Sequence, residues 1–405
     1  MTNRINYLNK IKTNIDNNLA DSTSLIKAFD DMNNGFVNNI LVNGSTILFR
    51  NTSEMIKNNK KYTYGTHGTP TTNDLCVAIS MLERSNETII TCSGLMAITS
   101  TFLSILKPND HALVVDSVYS PLKQFCKVFL TRFNVHVDFF DPRDEYNLKT
   151  LLRTNTKLIH LESPCSNTFE ILDIHSICKY IKQRSNRCII SMDNSWATPL
   201  IYKPITQGVD ISICALTKYP TGCSDVVIGS ISITKNLSLT FNTFKRTIGI
   251  TSSSYNCNLI LKSLKSTIVR LHHHHNSVVK ICKYLTTSHH VDHVFSPILP
   301  WSPDHKLWKR DYKLSNGIIS FTLKTKKIED YKRLLDGLKI FGLGWSWGGY
   351  KSLAAIADTK HRHFKGKTNN PIIRLQIGFE DINDLINDLN SSFQRIINNE
   401  VTNSI

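Results

Sequence analysis

From Thr71 onward, short apolar runs alternate with stretches whose apolar residues recur every three or four positions. Thr72–Arg84 predicts a helix with Leu75, Ile79 and Leu82 on one face. The apolar run ETIITC follows, then a Ser93-Gly94 turn and a helix over Leu95–Leu106. HALVVD predicts a strand, Pro121–Thr131 a helix, VHVDFF and TKLIHLES strands, and Asp173–Gln183 a helix. CIISMD, ISICAL and VVIGSISIT complete the series as strands. The β-runs read as buried, as in strands covered on both faces, and helices separate them. That order predicts an α/β fold with a mostly parallel sheet.

The two ends of the chain differ from this middle. Residues 1–67 are polar and rich in Asn, and predict an extended arm with a short helix around Ser22–Asp31. Asn256 to Thr286 predicts one long helical stretch. Beyond it lie GIISFTL, a helix around Ile328–Leu338, PIIRLQIG and a last helix from Asp381. These predict a smaller C-terminal α+β domain. The domains are therefore drawn as an arm at 1–67, an α/β domain at 68–264 and an α+β domain at 265–405.

Composition narrows the class. The chain has 405 residues, 41% hydrophobic and 20% charged, which supplies a large core. No run of about 18 apolar residues predicts a membrane span, and the polar start from Met1 carries no apolar leader. Ten scattered cysteines form no CxxC pair, and several sit inside apolar runs. They are expected to be reduced structural thiols of a cytoplasmic protein. The formal net charge is +16, but the basic residues are spread along the chain without a block of five. Nucleic acid is therefore not the expected partner.

In sheets of this class, ligands sit at the carboxyl ends of the strands. Four such ends collect complementary groups: Asp193 after CIISM, Thr217-Lys218 after ISICAL, Ser93-Gly94-Leu95 after ETIITC, and Tyr119 after HALVVDSV. Singly, each is an ordinary cap, turn or core residue. Together they are what a pyridoxal 5'-phosphate (PLP) site needs. A desolvated lysine can bond the cofactor, and a carboxylate can pair with its pyridinium nitrogen. A helix N-terminus can hold phosphate, and an aromatic ring can stack on the cofactor.

Six segments carry a resemblance: YGTHGTPTT (64–72), LESPCSNTFEI (161–171), MDNSWATPL (192–200), ALTKYPTGCSDVVIGS (215–230), WSWGGYKSL (345–353) and IIRLQIGFED (372–381). In content, order and spacing the chain resembles the trans-sulfuration family of PLP enzymes, most closely its bacterial cystathionine β-lyase branch. The resemblance implies fold type I, with a seven-stranded, mostly parallel sheet, and a homotetramer built from dimers. It implies that Lys218 carries PLP and moves protons, that Asp193 bonds the pyridinium and that Tyr119 stacks on the ring and shares the proton work. Gly94, Leu95 and Thr217 would hold the phosphate. Tyr64 would reach in from a neighbouring subunit, Arg374 would grip the substrate carboxylate, and Ser346 and Trp347 would line the substrate pocket. No metal is implied.

The chain departs from the family pattern at Thr66, Cys223 and Lys351, where arginine, histidine and glutamate are usual. The implied reaction is cleavage of the amino acid L-cystathionine to homocysteine, pyruvate and ammonia, a step of methionine biosynthesis. The same residues leave cysteine desulfhydration, γ-elimination and alanine racemisation open. A reading of another class is a degenerate, basic, non-catalytic binding protein.

Three further features carry expectations. His272–His275 predict a solvated helix face rather than a metal site. Trp301, Trp308 and Trp345 are expected to pack within the smaller domain. Ile382, Leu385, Leu389, Phe393 and Ile397 predict a core-facing stripe on the last helix.

Overall fold

The computed structural model describes residues 19–28, 36–185, 187–364 and 370–402. The chain divides into two compact units. One comprises 1–105, 189–221 and 225–268; the other comprises 106–188, 222–224 and 269–405. The strands, in chain order, are β1 Glu87–Thr91, β2 His111–Val115, β3 His136–Phe140, β4 Thr156–Glu162, β5 Ile189–Asp193, β6 Ile211–Cys214, β7 Gly229–Ile233, β8 Val291–Phe295, β9 Ile318–Leu323, β10 Gly342–Leu343, β11 Leu353–Ile356 and β12 Ile373–Gln376.

In the first unit the strand order is β1-β7-β6-β5. β5 and β6 are parallel, and β7 runs antiparallel to both its neighbours. Every residue of β6 and β7 is buried, including Ser212, Ser230 and Ser232, which alternate with the isoleucines. Val226–Ile228 do not extend β7 as VVIGSISIT predicted, because Ile228 turns its backbone to Thr217 instead.

The helix Pro70–Glu83 starts where its sequence says it should. Thr69 and Thr72 form a capping box, and Pro70 supplies a preset φ in the first turn. Its apolar face, Leu75, Ala78, Ile79 and Leu82, packs with Ile260, Leu261 and Leu264. Fully burying one such leucine contributes about 2 kcal/mol.

The second unit holds two groups of strands. β3, β2 and β4 are parallel neighbours, and every residue of β2 is buried. The other group has the order β10-β11-β12-β9-β8, antiparallel except for β10 with β11. Its core joins Ile319, Phe321 and Leu375 to Leu385, Leu389 and Phe393 of the helix Ile382–Thr402. That face agrees with the expected stripe, apart from the Ile397 side chain, which lies outside the described residues.

Several expectations are corrected. The short N-terminal helix spans Asp21–Lys27, and its expected end at Asp31 lies outside the described residues. The long helix is broken into Ser254–Leu264 and Thr267–Thr287. The hydroxyls of Ser266 and Thr267 both bond the Ser263 carbonyl and compete with the helical ladder there. Trp301 and Trp345 are exposed rather than packed, at 64% and 71%; Trp308 is half-buried and donates to the Leu314 carbonyl. The histidine run is not a solvated face throughout. His274 is fully buried and donates from Nδ1 to the Ile377 carbonyl, while His275 Nδ1 accepts from the Ser315 N–H. Burial holds His274 at about 4. Among the described residues no helix is long and apolar enough to cross a membrane.

Candidate active site

In the first unit, Asp193 closes β5 in a buried position. Its Oδ1 accepts the Ser195 N–H at 2.8 Å. The Ser195 hydroxyl in turn accepts the Ala215 N–H at 2.7 Å. One serine therefore ties the end of β5 to the turn after β6, three residues before Lys218. Burial pushes the Asp193 carboxyl up, against the hydrogen bonds from Ser195 and the positive charge of Lys218. A desolvated carboxylate with so little compensation suits a cationic partner.

Lys218 lies in the turn after β6, half-buried, and its N–H donates to the Ala215 carbonyl. Thr217 is fixed by Ile228: its hydroxyl donates to the Ile228 carbonyl at 3.0 Å and accepts the Ile228 N–H at 2.9 Å.

The helix Gly94–Ile105 begins beside the same turn. A Cβ on Gly94 would lie 2.6 Å from Cβ of Ala215, so only glycine lets this N-terminus approach so closely. Ser93 caps the helix through the Met96 N–H. The N–H groups of Gly94 and Leu95 have no acceptor among the described residues, so two donors with the helix dipole behind them stay open to an anion. Tyr64 belongs to the arm segment, where it bridges to Thr46, and its ring is 49% exposed. Thr66, beside it, is exposed.

In the second unit, Tyr119 leads into the helix Ser120–Val128 after β2, its ring half exposed. Its N–H donates to Glu162 Oε2 at 2.8 Å, and Glu162 Oε1 accepts from the Ser166 hydroxyl at 2.5 Å. Arg374 projects from β12. Its Nη1 donates to Asn167 Oδ1 at 3.3 Å and its Nη2 to the Ser346 carbonyl at 3.4 Å. Ser346 has φ +86, a left-handed conformation that turns its carbonyl to the guanidinium. Trp347 follows, half-buried. Cys223 is exposed, and so is Lys351.

Within the first unit, then, Asp193, Lys218, Gly94, Leu95 and Thr217 gather around two adjacent strand ends. Within the second, Asn167 and Ser346 meet at the Arg374 guanidinium. The residues that sequence reasoning passed over are Ser195, Glu162 and Asn167. Each lies inside one of the recognised segments, so the signal was present.

A family model for Cys/Met metabolism PLP-dependent enzymes matches residues 22–394. The chain belongs to this family. Its cofactor is PLP, and the donor set above fits that group: an under-compensated buried carboxylate near a lysine, and an open helix N-terminus. The chain is 44% identical over 364 residues to a Rhizobium johnstonii protein described as "Putative cystathionine beta-lyase", covering 89% of this chain and 91% of that one. It is 35% identical over 342 residues to the L-alanine/L-glutamate racemase of Wolbachia pipientis wMel, covering 83% and 84%. Its fold matches the structure of cystathionine γ-synthase from Xanthomonas oryzae pv. oryzae in complex with cystathionine. The TM-score is 0.87 at 26% identity, over 93% of this chain and 98% of that one.

Proposed function

We propose that this protein is a carbon–sulfur β-lyase that cleaves L-cystathionine to homocysteine, pyruvate and ammonia. The observation that carries the reading is the buried Asp193 carboxylate, pushed up by burial and sharing its strand-end cluster with Lys218. The 44% identical relative supports the choice of β-cleavage, as does the Ser346-Trp347-Gly348-Gly349-Tyr350 segment, whose tryptophan resembles the β-acting branch.

Bound here, PLP would supply an electron sink for the pair left at Cα when its proton departs. Asp193 keeps the pyridine nitrogen protonated through a charge-assisted bond. Gly94 and Leu95 present their open N–H groups to the phosphate, joined by the Thr217 hydroxyl once it exchanges the Ile228 carbonyl for a phosphate oxygen. Tyr119 stacks on the ring. Arg374, steadied by Asn167 and Ser346, binds the substrate α-carboxylate as a planar fork. Lys218 or Tyr119 takes the proton from Cα. The Cβ–S bond then breaks, and Lys218 returns a proton to the departing sulfur, which leaves as the thiol of homocysteine. The remaining three-carbon fragment takes up water and leaves as pyruvate and ammonia.

Tyr64 reaches the site of a second copy in this reading, within a cytoplasmic homotetramer. The arm exposes Phe36, Val37, Leu48, Met55 and Ile56, apolar side chains available to that contact.

The test is the visible spectrum of the purified protein together with pyruvate release from L-cystathionine. A yellow protein that forms pyruvate, with both properties lost in Lys218→Ala, is expected. A Lys218→Ala variant with full turnover would overturn the assignment.

The Wolbachia relative motivates a second reading, racemisation of a small amino acid. There Lys218 and Tyr119 would act as the two proton carriers, one removing and one returning the Cα proton. Chiral analysis after incubation with L-alanine separates the two: D-alanine without pyruvate would favour racemisation.

A further inference from the structure

A cavity of about 520 Å³ opens within the second unit, lined by none of the residues assigned above to PLP or substrate. Its volume falls in the range of small-ligand sites. One wall is the turn Thr168–Glu170 after β4; another is the segment from His293 to Asp304; Thr359–Arg362 form a third.

The wall is built around two ion pairs. Arg143 grips Asp304 with both Nη atoms, at 3.1 and 3.0 Å. Arg362 Nη2 donates to Glu170 at 2.9 Å, and its Nη1 donates to the Thr168 hydroxyl at 2.5 Å. Both carboxylates in the lining are consumed by these contacts. Two positive features remain: the exposed Lys360, and Nε of Arg362, a buried donor with no partner among the described residues, on a side chain only 9% exposed. A buried donor without an acceptor costs stability until one arrives. Trp301 lines the same cavity with its ring 64% exposed, alongside Phe295 and Leu299. An exposed tryptophan beside an apolar floor gains most from a ligand with a flat apolar body.

We infer that this cavity is a second ligand site, which takes a small carboxylate with a flat apolar body. The carboxylate would meet Arg362 and Lys360, and the body would lie against Trp301.

The site also adjoins the substrate grip. Thr168 in its wall follows Asn167, and Thr359 follows Asp358. Asn167 joins that pair, accepting from Arg374 and donating to the Asp358 carbonyl. Asn167 and Phe169 are both left-handed, at φ +68 and +58; asparagine adopts this readily, but the bulky Phe169 does so only because its neighbours hold it there. Occupancy of the cavity therefore shifts the Asn167 bridge and with it the substrate KM. This coupling rests on the substrate role proposed for Arg374; the binding does not.

The test is calorimetric titration of the holoenzyme with phenylacetate, with phenylacetamide as neutral control. For a ligand of this size the expected Kd is about 1 mM or tighter. Binding is expected to weaken at least about fivefold in Trp301→Ala and for the neutral control. It should persist in Arg374→Ala, which removes the other carboxylate site. No saturable binding up to roughly 20 mM would overturn the inference. So would binding that is lost in Arg374→Ala yet kept in Trp301→Ala. Phenylacetate should raise the KM of the wild type but not of Trp301→Ala; an unchanged KM with intact binding would overturn the coupling. Because the titration needs no turnover, failure of the lyase reading leaves the binding result standing.

Discussion

Asn167 stands between Arg374 and the backbone, with Oδ1 accepting from the guanidinium at 3.3 Å and Nδ2 donating to the Asp358 carbonyl at 3.3 Å. A guanidinium held at one edge keeps its other donors in a fixed plane, and a planar fork is what a carboxylate reads. Arg374→Lys keeps the charge and loses the fork. It is expected to raise the KM for L-cystathionine about 100-fold with a smaller effect on kcat. Asn167→Ala loosens the fork without removing it, and about tenfold in KM is expected. Steady-state kinetics on both variants check this. An unaltered KM in Arg374→Lys would remove Arg374 from substrate binding.

Asp193 supports a prediction with opposite signs in two states of the protein. Its carboxyl is pushed up by burial, so without PLP the folded state holds a proton that the unfolded chain has released. Stability of the cofactor-free protein is therefore lost as pH rises from the usual carboxylate range through the raised value. Asp193→Asn removes that loss, and the cofactor-free variant should melt above the cofactor-free wild type at pH 7. With PLP bound the order should reverse if Asp193 pairs with the pyridinium as proposed, because the neutral amide cannot hold it. Turnover should fall at least about 100-fold. Thermal scans of both forms, with and without PLP, test the reversal. A variant that melts lower in both states would mean that Asp193 serves the fold alone.

Gly94→Ala tests the approach of the helix N-terminus to the strand end. The added methyl would sit 2.6 Å from Cβ of Ala215, and neither backbone is free to move far. Overpacking of this kind costs about 1–3 kcal/mol. The helix start must also swing away from the turn that carries Lys218, which separates the proposed phosphate donors from the lysine. Weaker PLP uptake than wild type, followed by absorbance titration, is expected together with a lower Tm. Unchanged uptake would place the phosphate elsewhere.

How much of this was legible in the chain depends on how local the cause is. Asp193, Lys218 and Gly94 each end or follow a short run rich in apolar residues, and such runs announce buried strands without any knowledge of their neighbours. The helix at Pro70 carries its capping residues in its own sequence. β8 was missed because Asp292 and His293 sit in its middle. It pairs with β9 along one side, and both residues are exposed there. β11 was missed because Leu-Ala-Ala-Ile is short and mostly small.

The misplaced side chains share another reason. Nothing near Trp301 or Trp345 in sequence says that solvent reaches them. His274 is buried by Ile377, more than a hundred positions away. Ser195 and Asn167 lay within recognised motifs, but their roles depend on Ala215 and Arg374, partners that only the fold brings into reach.

Glu83 shows what burial does to a group outside the site, and it gives a pH prediction with a definite sign. It ends the helix Pro70–Glu83, is fully buried, and accepts from the Ser212 hydroxyl at 2.9 Å through Oε1. Oε2 has no partner among the described residues. Burial pushes the carboxyl up to about 8 from an ordinary 4.5, with the Ser212 bond and the charge of Lys203 opposing. The folded protein thus binds a proton that the unfolded chain releases across this interval. The stabilising contribution is full below about pH 4.5, declines as pH rises, and is lost above about pH 8. The loss by pH 8 is on the order of 4 kcal/mol. Glu83→Gln keeps the shape and the bond from Ser212 and removes the titration. The Tm of the variant should lie close to wild type at pH 5 and well above it at pH 8.5. The difference between the two proteins cancels every group they share, so its slope reports Glu83 alone. A difference that stays flat across this range would mean that Glu83 is ionised in the fold, with a compensating cation closer than Lys203.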